Sequence, residues 1–209
     1  MNPSLRGLYA IADTQFLDDA HLAPAVEAAI AGGARVVQYR DKRNQPEVRL
    51  SQARRISDLC RHHGVPFLVN DDVALAMETG ADGVHLGRED MELRAARALI
   101  GDNKLIGVSC YNELERARAA EQDGADYIAF GSFFPSRTKP GAVRATPELL
   151  HAARTQLRIP IVAIGGITPE NGATLIEAGA DMLAVIEGVF AQSDIHAAAH
   201  RYAQLFQCT

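Results

Sequence analysis

Arg40 and Lys42 stand two residues apart in Gln38-Tyr39-Arg40-Asp41-Lys42, at the end of a β-branched run. In extended chain that spacing puts both on one side, where a planar guanidinium fork and a compact ammonium could grip the same oxyanion. A solvated turn accounts for these residues equally well. Asp71 and Asp90 follow two further apolar runs. Carboxylates of this kind, completed by water and phosphate oxygens, suit Mg²⁺; caps for helices starting near Val73 and Met91 are the alternative. Gly165-Gly166, after Ile161–Ile164, would bring bare backbone N–H groups to a phosphate or form a plain tight turn. Ser136-Arg137-Thr138-Lys139-Pro140-Gly141 offers hydroxyls and cations in what is either a closing phosphate loop or a surface loop. His85 is read as a packed, hydrogen-bonded residue and Cys110 as a thiol without a paired base, so neither receives a catalytic role.

These residues all follow short apolar runs, so the question is what would gather the run ends. Eight such runs alternate with Ala-, Glu- and Leu-rich segments of helical period: Gly7–Ala12, Arg35–Tyr39, Pro66–Asn70, Gly83–Leu86, Lys104–Val108, Tyr127–Phe130, Ile161–Ile164 and Met182–Ile186. Alternation of this kind predicts parallel strands with crossover helices. Gly33-Ala34-Arg35, Gly80-Ala81-Asp82, Gly124-Ala125-Asp126 and Gly179-Ala180-Asp181 precede every second run, each a helix end on a left-handed Gly leading into a strand. The expectation is an α/β fold, a (β/α)8 TIM barrel filling residues 1–209 as a single domain, with the active site at the strand C-termini. A doubly wound sheet is the runner-up, but Ala10-Ile11-Ala12-Asp13-Thr14 stands where its glycine-rich turn belongs.

Composition agrees with a globular chain: 209 residues, 47% hydrophobic and 22% charged. Apolar stretches such as Ile159–Ile164 fall far short of the roughly 20 residues that span a bilayer, and Met1–Arg6 lacks a secretory pattern, which predicts no membrane association and a cytoplasmic location. A net charge of −5 disfavours nucleic acid. Cys60, Cys110 and Cys208 have no disulfide or zinc spacing and are expected to be reduced.

Taken in order, the motifs Gln38-x-Arg40-x-Lys42, Asn70-Asp71, Gly80 through Asp90, Gly107-Val108-Ser109, Ser136-x-Thr138-Lys139 and Ile164-Gly165-Gly166-Ile167 resemble the thiamine phosphate synthase family. The resemblance implies a transferase that joins 4-amino-2-methyl-5-hydroxymethylpyrimidine diphosphate to a thiazole phosphate and releases diphosphate. It implies pyrimidine diphosphate contacts from Gln38, Tyr39, Arg40, Asp41, Lys42, Asn70, Ser109 and Lys139, with Arg40, Lys42, Ser109 and Lys139 catalytic. Asp71 and Asp90 would bind Mg²⁺, and Ser136, Arg137, Thr138, Gly165, Gly166, Ile186 and Glu187 the thiazole phosphate. The chain departs from the family with Ser136 in place of the first Thr of a Thr-x-Thr-Lys motif and with Ile186-Glu187 where Val-Ser is common, which sets an acid near a phosphate. A thiazole tautomerase of the same family is the nearest alternative, but it would not need the full diphosphate grip. A sugar-phosphate isomerase on the same fold would need an acid–base pair at the strand ends, and a phosphate-ligand sensor would show no turnover.

Overall fold

The structure is a computed structural model that describes residues 5–135, 141 and 143–207. Strands and helices alternate throughout: β1 (Gly7–Asp13), α1 (Asp19–Ala31), β2 (Ala34–Arg40), α2 (Pro46–His63), β3 (Phe67–Asn70), α3 (Val73–Glu78), β4 (Gly83–Leu86) and α4 (Leu93–Ile100) form the first half. The second half comprises β5 (Leu105–Tyr111), α5 (Leu114–Gln122), β6 (Tyr127–Gly131), α6 (Pro147–Gln156), β7 (Ile161–Ile164), α7 (Pro169–Glu177), β8 (Met182–Val185), α8 (Glu187–Phe190) and α9 (Ile195–Gln204). The strands pair in chain order, all parallel, and β8 closes on β1. This is the expected (β/α)8 barrel. Among the described residues, no helix is long and apolar enough to cross a membrane.

The expected strands are all present, with two informative differences. β5 runs on to Tyr111 because a register shift between Ser109 and Tyr111 lets the strand bulge and continue beside β6. β8 stops at Val185, and Ile186 becomes the residue that caps α8.

Side chains alternate across each strand, and one set fills the barrel. Tyr9, Ile11, Val36, Leu68, Leu105, Tyr127, Ala129, Val162, Met182 and Ala184 pack there as one cluster, separate from the larger layer between strands and helices. Toward the strand C-termini the inward positions turn polar: Gln38, Asn70, His85 and Ser109.

The Gly-Ala-Asp repeats lie at the opposite end and explain its order. Gly80, Gly124 and Gly179 take φ values of +65°, +93° and +115° as the chain leaves a helix. The aspartate that follows reaches sideways: Asp82 accepts from the Phe67 N–H (2.9 Å), Asp126 from Ile106 (2.8 Å) and Asp181 from Ile161 (2.8 Å). Each repeat therefore satisfies an amide at the start of the preceding strand, β3, β5 or β7, with Arg97 and Arg154 pairing Asp126 and Asp181.

Candidate active site

At the C-terminal mouth two cavities adjoin. The larger, about 790 Å³, extends from Tyr9 and Gln38 across to Gly165, Gly166, Ile186 and Glu187. The smaller, about 520 Å³, lies between Lys42, Asp71, Gly87, Asp90 and Glu113. Arg40, Asn70, His85, Ser109 and Tyr111 border both.

The smaller cavity is built from side chains held by other side chains. Arg40 leaves β2 against the carboxylate of Asp13, its register partner at the end of β1, which is only 2% exposed. Lys42 contacts Asp71. Asp71 has φ +65°, a left-handed turn that favours few residues other than glycine, asparagine and aspartate. Its N–H donates to the His85 carbonyl (2.8 Å), which ties the β3 exit to β4. The carboxyls of Asp71 and Asp90 line the same cavity and influence each other's ionisation. Burial and the neighbouring carboxylate push Asp90 up, whereas Asp71, though also buried, is held down by Asp90 and the Lys42 ammonium. Asp90 Oδ2 accepts the Gly87 N–H at 2.6 Å, and a Cβ on Gly87 would lie 2.9 Å from that oxygen.

Capping does not explain either aspartate. Asp72 caps α3 through the Leu75 N–H (2.9 Å) and Glu92 caps α4 through Ala95 (3.1 Å), leaving Asp71 and Asp90 facing the cavity. Tyr39 and Asp41, by contrast, line neither cavity. Alternation turns Tyr39 toward α2, where its hydroxyl is shared between Asp41 (2.9 Å) and Gln52 (2.7 Å). Asp41 accepts from the amides of Arg43 and Asn44. Although burial opposes it, these bonds hold the Asp41 carboxyl at about 2. The pair braces the loop that presents Arg40 and Lys42.

The larger cavity has a different construction. Ser132 N–H donates to Val143 and Ala145 N–H to Ser132, while Phe134 N–H donates to Gly165 (2.9 Å), so the chain leaving β6 is laid against the β7 exit. Gly165 and Gly166 have φ +105° and +62°, and a Cβ would fall 2.1 Å from Ser132 Oγ or 2.3 Å from the Pro135 carbonyl. The glycines are thus required by both conformation and space. Their N–H groups donate to none of the described residues. Ile186 and Glu187 face them from the start of α8. Ser136, Arg137, Thr138 and Lys139 lie outside the described residues.

Between the cavities, Asn70 makes no side-chain hydrogen bond to a described residue, which leaves both ends of its amide for a ligand. Ser109 Oγ is 2.9 Å from His85 Nε2. His85 is hydrogen-bonded at both ring nitrogens, as a packed strand-end histidine should be, yet it borders both cavities. Cys110 lines neither; burial pushes its thiol up to about 12. The sequence reading missed Asp13, Tyr9, Tyr111 and Tyr127. Asp13 carried a signal, an acid at the end of the first strand, whereas the tyrosines resemble ordinary core residues in sequence.

The family model for thiamine monophosphate synthase matches residues 8–189. A thiamine-phosphate synthase of Nitrosococcus oceani is 52% identical over 206 residues, covering 99% of this chain and 95% of the relative. One from Thioalkalivibrio sulfidiphilus is 51% identical over 203 residues, covering 97% and 96%. Among solved structures, thiamine phosphate pyrophosphorylase from Pyrococcus furiosus superposes with a TM-score of 0.88 at 33% identity, covering 98% of this chain and 96% of that one.

Proposed function

The chain belongs to the thiamine monophosphate synthase family, and we propose that its adjoining cavities hold the two substrates of a condensation that yields thiamine phosphate. One substrate is 4-amino-2-methyl-5-hydroxymethylpyrimidine diphosphate and the other a thiazole phosphate; diphosphate is released. The activity is that of a transferase acting on small phosphorylated substrates.

The observation that carries this reading is the shared border. Arg40, Asn70, His85, Ser109 and Tyr111 front both the charged cavity and the glycine-walled one. A molecule with a diphosphate at one end and a ring at the other can therefore lie across them and meet a second ligand. In the reaction, the thiazole nitrogen forms a bond to the pyrimidine's methylene carbon as the bond from that carbon to the diphosphate oxygen breaks. Charge accumulates on the departing diphosphate, and Arg40 and Lys42 stand where it would be neutralised, with Lys139 added on the strength of the motif. The aminopyrimidine donates electrons toward the same carbon, so the step is dissociative and needs no enzyme nucleophile. Gln38 and Ser109 orient the ring. Tyr39 and Asp41 support the loop rather than touch the ligand.

Asp71 and Asp90 suit Mg²⁺. Their carboxyls line one cavity and interact with each other, an arrangement that a bound cation would stabilise. Among the described residues no group of three acidic, His or Cys side chains is placed to hold a metal ion by itself, and Mg²⁺ is characteristically held by one or two carboxylates plus substrate phosphates. When bound, the ion supplies positive charge against the diphosphate.

The thiazole phosphate is assigned to the N–H groups of Gly165 and Gly166 and the start of α8, with Ser136, Arg137 and Thr138 assigned by motif. Holding both phosphates aligns nitrogen and carbon, an advantage that reaches several kcal/mol, roughly 7–11 at best, in well-oriented systems. To test the reading, purified protein is mixed with both precursors and Mg²⁺ while thiamine phosphate and diphosphate are followed. Equal amounts of the two products are expected; no product with any thiazole phosphate form overturns the assignment.

A further inference from the structure

Five side chains from five strands form one hydrogen-bonded chain across the larger cavity. Gln38 Nε2 donates to Tyr9 Oη (2.7 Å), Tyr9 Oη lies 2.8 Å from Tyr127 Oη, Tyr127 Oη lies 3.0 Å from His85 Nδ1, and His85 Nε2 lies 2.9 Å from Ser109 Oγ. Burial raises both phenols far above their ordinary range, so each hydroxyl keeps its single proton. Stacking of the His85 ring on Tyr127, 5.6 Å between centroids, holds the middle of the chain. Gly107 makes room for it, since a Cβ there would lie 1.9 Å from Tyr127 Cζ.

Counting protons gives the chain a direction. An amide nitrogen only donates, so Tyr9 accepts from Gln38, and among the described residues Tyr127 is the acceptor within reach of the Tyr9 proton, which gives the chain its direction. Tyr127, having accepted, gives its proton to His85 Nδ1. The imidazole then carries its proton on Nε2 and donates to Ser109. Two groups are left over at the ends. Gln38 Oε1, which accepts from no described residue, remains an acceptor on the β2 wall, and the Ser109 hydroxyl proton remains a donor on the β5 wall.

We propose that Tyr9, Tyr127 and His85 are positioning residues that set the polarity of Gln38 and Ser109, and thereby select a pyrimidine bearing an amino group on one edge and an unprotonated ring nitrogen on another over its 4-oxo counterpart. The proposal rests on the pyrimidine reading above. An oxo group at the Gln38 end sets carbonyl against carbonyl in a buried site, and sites built to hydrogen-bond one partner discriminate strongly against a mispaired one.

The test measures dissociation constants by calorimetry for the 4-amino and 4-oxo pyrimidine diphosphates, with Mg²⁺ and without the thiazole. The wild-type protein should prefer the amino compound by on the order of 10²-fold. In Tyr127→Phe the Gln38 carbonyl is, among the described residues, the acceptor left for the Tyr9 proton, so the amide turns and presents its N–H₂ to the cavity. The amino preference should fall tenfold or more, with thiazole phosphate affinity nearly unchanged. Tyr9→Phe releases the Gln38 amide altogether and should lower the preference without reversing it, and it decides the matter should Tyr127→Phe not fold. A purely structural role would weaken both pyrimidines alike. An unchanged amino-to-oxo ratio in the folded variants overturns the proposal, whereas a wild-type protein that binds neither compound overturns the pyrimidine reading beneath it.

Discussion

The two sides of the barrel mouth are built by different means. From β2 to β4 the wall is made of charged side chains, each fixed by another: Arg40 on Asp13, Lys42 on Asp71, Asp71 against Asp90. From β6 to β8 it is made of backbone, with two left-handed glycines pressed against Ser132 and Pro135 and the first residues of α8 opposite. The charged side suits an anion whose charge grows as a bond breaks, because preorganised charges act where charge develops. The backbone side suits a phosphate whose charge does not change and which only has to be held. On the proposed function, chemistry and positioning fall to opposite sides of one rim.

The comparison breaks most decisively on the charged side. Arg40→Ala and Asp71→Ala should each lower kcat by on the order of 10²-fold or more in steady-state assays at saturating substrate. Arg40→Ala should also lower the melting temperature, since it strands the buried Asp13, and removing one partner of a buried pair costs about 3–5 kcal/mol. Near-normal turnover in either purified variant would dissolve the distinction. Gly166→Ala comes next: its side chain meets the Pro135 carbonyl at φ +62°. The KM for thiazole phosphate should rise about tenfold, the equivalent of roughly 1.4 kcal/mol, while the KM for the pyrimidine diphosphate stays put; a shift shared by both substrates would argue against separate grips.

Glu187→Ser sharpens the weaker side. Removing an acid from the first turn of α8, beside the proposed phosphate, should lower the thiazole phosphate KM about two- to fivefold, the scale of a surface charge interaction of roughly 0.3–1 kcal/mol. A higher KM would mean that Glu187 contributes to binding. The smallest effect on turnover is expected at the far end of the barrel. Asp126→Ala leaves the Ile106 amide without its side-chain acceptor and removes the carboxylate from Arg97, which keeps the Gly101, Lys104 and Gly124 carbonyls. Chemical denaturation should show about 1–3 kcal/mol of lost stability with kcat intact; a large fall in kcat would tie that end to catalysis.

Much of this was legible because barrels convert order along the chain into place. The strand runs and the repeated Gly-Ala-Asp units suffice for a closed parallel barrel, and residues just past each run must gather at one mouth. Arg40, Lys42, Asn70, Asp71, Asp90 and Ser109 were readable on that basis. Tyr39 and Asp41 were not separable from them, since the same five-residue stretch alternates between cavity and helix layer. Asp71 and Asp72 are adjacent acids of equal capping ability; only the folded backbone makes Asp72 the cap and leaves Asp71 in a left-handed turn.

By itself, then, the amino-acid sequence determined the periodicity that makes the barrel and the charged groups delivered to its mouth, because both follow from local spacing. Tertiary structure alone decided which of those groups meet. Asp13 finds Arg40 because β1 and β2 pair in register, and Tyr9, Tyr127 and His85 link only because strands distant in sequence curve around one interior. Such contacts depend on closure of the sheet, and no local pattern of residues encodes a distance across a barrel.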